Sequence, residues 1–259
     1  MDPKYQQIID FIKESGEEIV EQFGKIKYID VKHRFTSEYD LKIERGFEKI
    51  VKGFGEGHKL YAEEEHDAFS EANNLWVVDP ISGTRFLIEG TKYYSIVATH
   101  VQNGKSLFSA VYGPSINEFF VAMAGQGSFL NDKKITINPS QPNPKIIFKV
   151  SDEWKDLEAA ERVRLVLKTF NFEEVEKSEA LNYSNVACGR ADCFVLLGKD
   201  SFPSFAGQLI VTEAGGVFSN IKGESIINHD DKIFIAGEQT INDKILPLVQ
   251  KALGSYYIN

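Results

Sequence analysis

Apolar positions along the chain follow two rhythms. Ile8, Phe11, Ile12, Ile19, Val20 and Phe23 recur at helical spacing, which predicts an amphipathic first helix. A second helix is expected to start between Thr36 and Asp40 and to bury Ile43, Phe47, Ile50 and Val51. From Tyr94 to Ala122 the pattern is that of strands. Ser95 to Val101 and Leu107 to Tyr112 flank Asn103-Gly104, a strong hairpin signal, and Gly113-Pro114 leads into Glu118 to Ala122. Helical spacing returns from Asp152 to Thr169 through Leu157, Val163, Val166 and Leu167. The remainder alternates: a strand at Cys193 to Leu197, a helix at Phe205 to Glu213, strands at Gly216 to Asn220 and Lys232 to Ala236, and a last helix at Asp243 to Leu253. Pro139, Pro142 and Pro144 mark the best break, dividing residues 1–141 from 142–259. Mixed element order around a strand meander, with no internal repeat, predicts a layered α+β fold.

Composition narrows this picture. With 259 residues, 42% of them hydrophobic and 12% aromatic, the chain can bury a large core as one or two subdomains. No apolar run approaches the ~18 residues that span a bilayer, and the N-terminus reads as a polar helix rather than a leader, so no membrane partner and a cytoplasmic placement are expected. Cys188 and Cys193 lie five apart in an apolar segment and read as reduced thiols near the core. The net charge of −9 argues against non-specific nucleic-acid binding. An acidic protein acting on anionic substrates needs cations in its site, and a metal would supply them.

The candidate chemistry sits in Leu75 to Phe86. An apolar strand (Leu75, Trp76, Val77, Val78) delivers Asp79 to a turn, and Pro80 leads into Ile81-Ser82-Gly83-Thr84, where a helix can begin. That layout sets a carboxylate for a hard cation beside backbone N–H groups for a phosphate. The acidic run Glu63-Glu64-Glu65 precedes it. Taken singly, Glu63 to Glu65 reads as a solvated face, Asp40 as a helix cap and Asp79-Pro80 as a turn. His33, His58, His66, His100 and His229 have no ligand spacing, and Ser82 lacks the G-x-S-x-G elbow of a serine nucleophile. Lys32 and Arg34 read as exposed bases.

Taken together, these blocks resemble the inositol monophosphatase family, part of the sugar-phosphatase group that includes the fructose-1,6-bisphosphatases. Asp79-Pro80-Ile81-Ser82-Gly83-Thr84 is similar to the family's D-P-I-D-G-T, Ser37-Glu38-Tyr39-Asp40 to its T-x-x-D, and Tyr61 to Glu65 to its G-E-E element. Ala124 to Asn131 resembles its G-x-G-A-F-x-N hairpin, Cys188 to Asp192 its G-x-A-D block, and Leu209 to Gly216 its L-I-V-x-E-A-G-G block. The blocks occur in family order from about residue 30 onward. The resemblance implies an αβαβα sandwich, Mg²⁺-dependent hydrolysis of phosphomonoesters and a homodimer.

By motif, the resemblance implies one Mg²⁺ at Glu63, Asp79 and the Ile81 carbonyl, a water-activating pair in Asp40 and Thr84, and phosphate contacts from Ser82, Gly83 and Thr84. It also exposes departures. Ser82 stands at the second metal aspartate and Pro203 at the family's late W-D aspartate, so two anionic ligands of one ion are missing together. Asp200, three residues earlier, is the candidate replacement. Leu196 occupies the position of a substrate-contacting glutamate, which argues against myo-inositol phosphate. Three readings follow. The first is a degenerate member that binds one Mg²⁺ and a phosphorylated small molecule with weak or lost hydrolysis. The second is an active phosphatase on a sugar or nucleotide phosphate with a rearranged second metal site. The third is a non-enzymatic interaction protein.

Overall fold

A computed structural model describes residues 2–31, 34–66, 68–70, 72–139 and 141–257. Helix α1 (Pro3–Glu21) is followed by the hairpin of β1 (Tyr28–Val31) and β2 (Arg34–Ser37), then by α2 (Glu38–Gly53). A long β region follows: β3 (His58–Ala62), β4 (Asn74–Ser82), the short helix α3 (Thr84–Ile88), β5 (Ser95–Gln102), β6 (Lys105–Gly113), β7 (Glu118–Met123), β8 (Gly127–Leu130) and β9 (Lys133–Ile135). The rest comprises β10 (Lys145–Val150), α4 (Leu157–Leu167), β11 (Asn171–Glu174), α5 (Glu179–Ala187), β12 (Cys193–Leu197), α6 (Phe202–Glu213), β13 (Val217–Asn220), β14 (Ile233–Gly237) and α7 (Gln239–Leu253).

Strands β3 to β9 form a seven-stranded sheet in sequence order, antiparallel except for the β3–β4 pair. Strands β10 to β14 form a five-stranded sheet in the order β11-β10-β12-β14-β13. Its β10 runs parallel to both β11 and β12, and β14 antiparallel to its neighbours. Side-chain alternation along the strands explains the layering. In β4, Trp76 and Val78 face the core shared with α1 and α2, while Leu75 and Val77 face a central core with α5 and α6. In β12, Phe194 and Leu196 join that same central core from the other sheet, while Cys193, Val195 and Leu197 pack with α4 and α7. The result is five layers, αβαβα. Among the described residues, no helix is long and apolar enough to cross a membrane.

The turn at Asn103 (φ 49°) and Gly104 (φ 76°) has both residues left-handed, as the two-residue hairpin requires. Several expected boundaries move. The helix anticipated from Asp152 starts at Leu157, because the Asp156 carboxylate accepts the Ala159 N–H at 2.9 Å and caps it there. Helix α6 starts at Phe202, earlier than expected, with Pro203 in its first turn, where a missing N–H costs nothing. Helix α7 begins at Gln239 under a Glu238 cap rather than at Asp243. Strands β10 and β11 and helix α5 were not anticipated; their runs are too short or too uniformly buried for periodicity to separate strand from helix. Cys188 and Cys193 are free thiols.

Candidate active site

Strand β4 builds one wall of a cleft. Relative to β5 it carries one extra residue between Asp79 and Ser82, a β-bulge. Pro80, with no N–H to give to the ladder, lies within it. The bulge brings Asp79, Ile81 and Ser82 to the same opening. Gly83 then turns the chain with φ 82°, and α3 begins at Thr84. A Cβ at Gly83 would lie 2.8 Å from the Phe86 ring and 3.4 Å from the Ser178 Cα, in a conformation that L side chains rarely adopt.

Behind this wall stands Asp40, 1% exposed, in the first turn of α2. Its Oδ2 accepts the Ser37 N–H (2.8 Å) and the Ser37 hydroxyl (2.6 Å), a reciprocal capping box. Its Oδ1 lies 2.9 Å from the Thr84 hydroxyl, which is also 2.8 Å from the Ile81 carbonyl. The hydroxyl has one proton and two acceptors. With Asp40 ionised, Thr84 donates to it; with Asp40 protonated, Asp40 can donate to Thr84, and Thr84 to Ile81. Burial pushes the Asp40 carboxyl up to about 7, against the pull of the Ser37 and Thr84 hydrogen bonds.

Glu63 sits on the turn after β3, and that turn is folded around Glu44. The fully buried Glu44 carboxylate accepts N–H groups from Glu64 (2.8 Å), Glu65 (2.7 Å) and His66 (2.9 Å), and contacts His66 Nδ1 at 2.8 Å. Glu64 points inward to accept the Thr36 hydroxyl at 3.1 Å; burial and the neighbouring Glu63 and Asp40 raise it to about 8. Glu44 escaped the sequence reading because its partners lie twenty or more residues away. Its one legible signal was a carboxylate on the apolar side of α2, one residue from Ile43.

The opposite wall comes from β10, α5 and the β12–α6 loop. The cleft encloses a cavity of about 80 Å³. It is lined by Glu63, Asp79, Ile81, Ser82, Gly83 and Thr84 on one side, and by Lys149, Ser178, Glu179, Lys199, Asp200 and Pro203 on the other. Arg85, Asp152, Glu153 and Lys177 sit at its rim. The Lys199 ammonium forms an ion pair with Glu63 and lies 3.8 Å from both Asp200 and Glu153. Burial alone would lower its pKa, but Glu63 and Asp200 hold it well above the usual lysine range. The Ser82 hydroxyl accepts from Ser178 at 2.9 Å, and Ser178 contacts Ser95 at 2.7 Å, a chain of hydroxyls linking β4 and β5 to the start of α5. Asp200 Oδ1 accepts the Phe202 N–H at 3.1 Å at the start of α6.

Other residues singled out in the sequence lie elsewhere. Leu196 is fully buried in the central core and does not line the cleft. Glu213 accepts the Gly125 and Gly127 N–H groups at 2.8 Å each, and Asp192 accepts the Lys145 N–H at 2.7 Å. These motif carboxylates tie loops to the frame. His100 stacks on Trp76 at 4.7 Å, and His229 on Phe69 at 4.2 Å. Lys32 and His33 lie outside the described residues, as does the Arg34 side chain. Among the described residues, no three carboxylate, imidazole or thiol groups form a ready metal cluster.

A cation nevertheless fits one place. Asp79 Oδ1 is buried and has no hydrogen-bond partner, and burial together with Glu63 and Asp200 raises its carboxyl well above the usual range. With the Glu63 carboxylate and the Ile81 carbonyl it offers the all-oxygen donor set that a hard divalent ion prefers. An orphaned buried carboxylate oxygen is costly unless protonated or bound to a cation.

The sequence profile of the inositol monophosphatase family matches residues 1–253. The chain belongs to the inositol monophosphatase family. It is 26% identical over 248 residues to a fructose-1,6-bisphosphatase/inositol-1-monophosphatase of Thermotoga maritima, covering 95% of both proteins. It is 27% identical over 237 residues to the Nus factor SuhB of Xylella fastidiosa, covering 89% of this chain and 86% of that one. A solved IMPase structure from Thermotoga maritima superposes with a TM-score of 0.83 at 26% identity, over 98% of each chain. Phosphatases and a Nus factor thus share this family's fold, so membership alone does not decide which role the cleft serves.

Proposed function

We propose that this chain binds one Mg²⁺ and a phosphorylated small molecule in the cleft, with weak or lost phosphomonoester hydrolysis. The reading rests on one contrast. Asp79, Glu63 and Ile81 line one cleft, with Asp79 Oδ1 unpartnered, whereas the Ser82 hydroxyl is tied to Ser178 and Pro203 has no side-chain donor. When bound, the ion would screen the charge of the phosphate and acidify a water. Asp40 and Thr84 would orient that water and accept its proton, with Asp40 near the midpoint of its titration at neutral pH. Gly83 and Thr84 would face the phosphate at the start of α3. Leu196, in the core, leaves polyol recognition to other groups.

The test is phosphate release from a panel of phosphomonoesters with Mg²⁺ titrated widely, run beside the Ser82→Asp/Pro203→Asp double variant. Slow or absent turnover that the double variant restores is the expected result. Robust turnover by the native chain overturns it in favour of the second reading, an active phosphatase on a sugar or nucleotide phosphate; Asp200, which lines the cleft opposite Asp79, supports that alternative. The likeness to a Nus factor is of the same size as that to a phosphatase, so it does not by itself favour an interaction role over a ligand-binding one.

A further inference from the structure

The bases lining the cleft are held in different ways. Arg85 is engaged by Asp152 at 3.0 Å and Glu176 at 2.5 Å. Lys149 lies over the Phe86 ring at 4.9 Å, and Lys177 over Tyr93 at 4.8 Å. Lys199 instead reaches across the opening to Glu63, 136 residues earlier, on the opposite wall. Its backbone is held in place. The Gly198 N–H donates to the Lys232 carbonyl at 2.7 Å, the Ser201 hydroxyl to the His229 carbonyl at 3.1 Å, and the Phe202 N–H to Asp200. A Cβ at Gly198 would crowd the Lys232 and Asp200 carbonyls at 3.2 and 3.3 Å, so the loop follows a tight course. The ammonium therefore projects from a fixed base into a group of four carboxylates: Glu63, Glu153, Asp200 and the nearby Asp79.

We propose that Lys199 is a tethered cation, serving the cleft as a positioning residue in place of a second divalent ion. The inference rests on the one-ion reading above. Where Ser82 and Pro203 withhold the anionic ligands that would fix a second ion, an ammonium on a fixed loop places one positive charge in the same opening. Such a charge acts in two opposed directions. It disfavours a dication on the shared Glu63, and it favours the anionic phosphate that must enter an otherwise acidic cleft. A lysine that only decorated the surface, or only braced the loop, would not move these two affinities in opposite senses.

The test is calorimetric titration of the full chain with Mg²⁺, then with inorganic phosphate at saturating Mg²⁺, for the native protein, Lys199→Met and Lys199→Arg. Lys199→Met should tighten Mg²⁺ by ~10-fold and weaken phosphate by ~10-fold, while Lys199→Arg stays within ~3-fold of native in both. Should the methionine variant not fold, Lys199→Gln is expected to give the same paired shifts. Unchanged affinities, or two affinities that move together, overturn the tethered-cation role and leave the one-ion reading standing. Failure of the native chain to bind either Mg²⁺ or phosphate overturns both.

Discussion

The two walls of the cleft hold their charges by different means. On the β4 side, the acids are backed by their own scaffold: Glu44 anchors the turn that carries Glu63, Ser37 brackets Asp40, and the bulge at Pro80 sets Asp79 beside the Ile81 carbonyl. On the β12–α6 side, the charges are held by one another: Lys199 by Glu63, with Asp200 and Glu153 within 3.8 Å. A wall whose geometry is set by buried hydrogen bonds holds its acids in fixed places. A wall whose charges are set by long, partly exposed side chains can answer to whatever enters.

Four experiments press on this contrast. The largest effect belongs to the frame behind the second wall. Leu196→Ala should cost about 2–5 kcal/mol in denaturant unfolding, as a fully buried leucine does, while Mg²⁺ affinity of the folded protein stays unchanged. A large change in ligand affinity with little loss of stability would return Leu196 to the site. Next, Asp79→Asn should weaken Mg²⁺ by at least about 100-fold, since even partners of metal ligands are worth about 10–100-fold. Asp200→Asn should move it by less than about 3-fold; equal losses in the two variants would make Asp200 a ligand and favour the rearranged site.

Smaller again, Glu44→Gln should weaken Mg²⁺ by about 10-fold, because an amide accepts less well from the three N–H groups of the Glu63 turn. Native-like Mg²⁺ affinity in that variant would mean that the turn is held by other contacts. The last experiment is on pH. Asp40 at about 7, and Glu64 and Glu179 at about 8, keep protons in the folded state that the unfolded chain releases near pH 4. Their contribution is full below that pH and is lost as pH rises through 7 to 8. The metal-free protein should therefore melt at least about 5 °C lower at pH 8 than at pH 5, with Mg²⁺ raising the melting temperature more at pH 8. A metal-free melting temperature that climbs over that interval would contradict these shifts.

Much of the fold was legible because it is written in short-range patterns. The apolar spacing of α1 and α2, the Asn103-Gly104 turn and the period-two runs of β5 and β6 each specify local structure and the face that must be buried. The order of motif blocks gave the family and its five layers. Local patterns failed at β10 and α5, which are largely buried, at β11, which is only four residues long, and at helix starts set by single caps such as Asp156.

For the cleft, the sequence by itself determined which residue types were present: a row of oxygen donors from Asp40 to Thr84, and the serine and proline, Ser82 and Pro203, that the resemblance sets against two carboxylates. Only the tertiary structure decided what those residues touch. It put Glu44 beneath the Glu63 turn, sent Leu196 to the core through the alternation of β12, and laid Lys199 across the opening onto Glu63. The reason is physical. Side-chain type and local spacing fix what a residue can do within a few positions of itself. Electrostatic partners, in contrast, are chosen by the packing of layers, which brings together groups 20 to 136 residues apart.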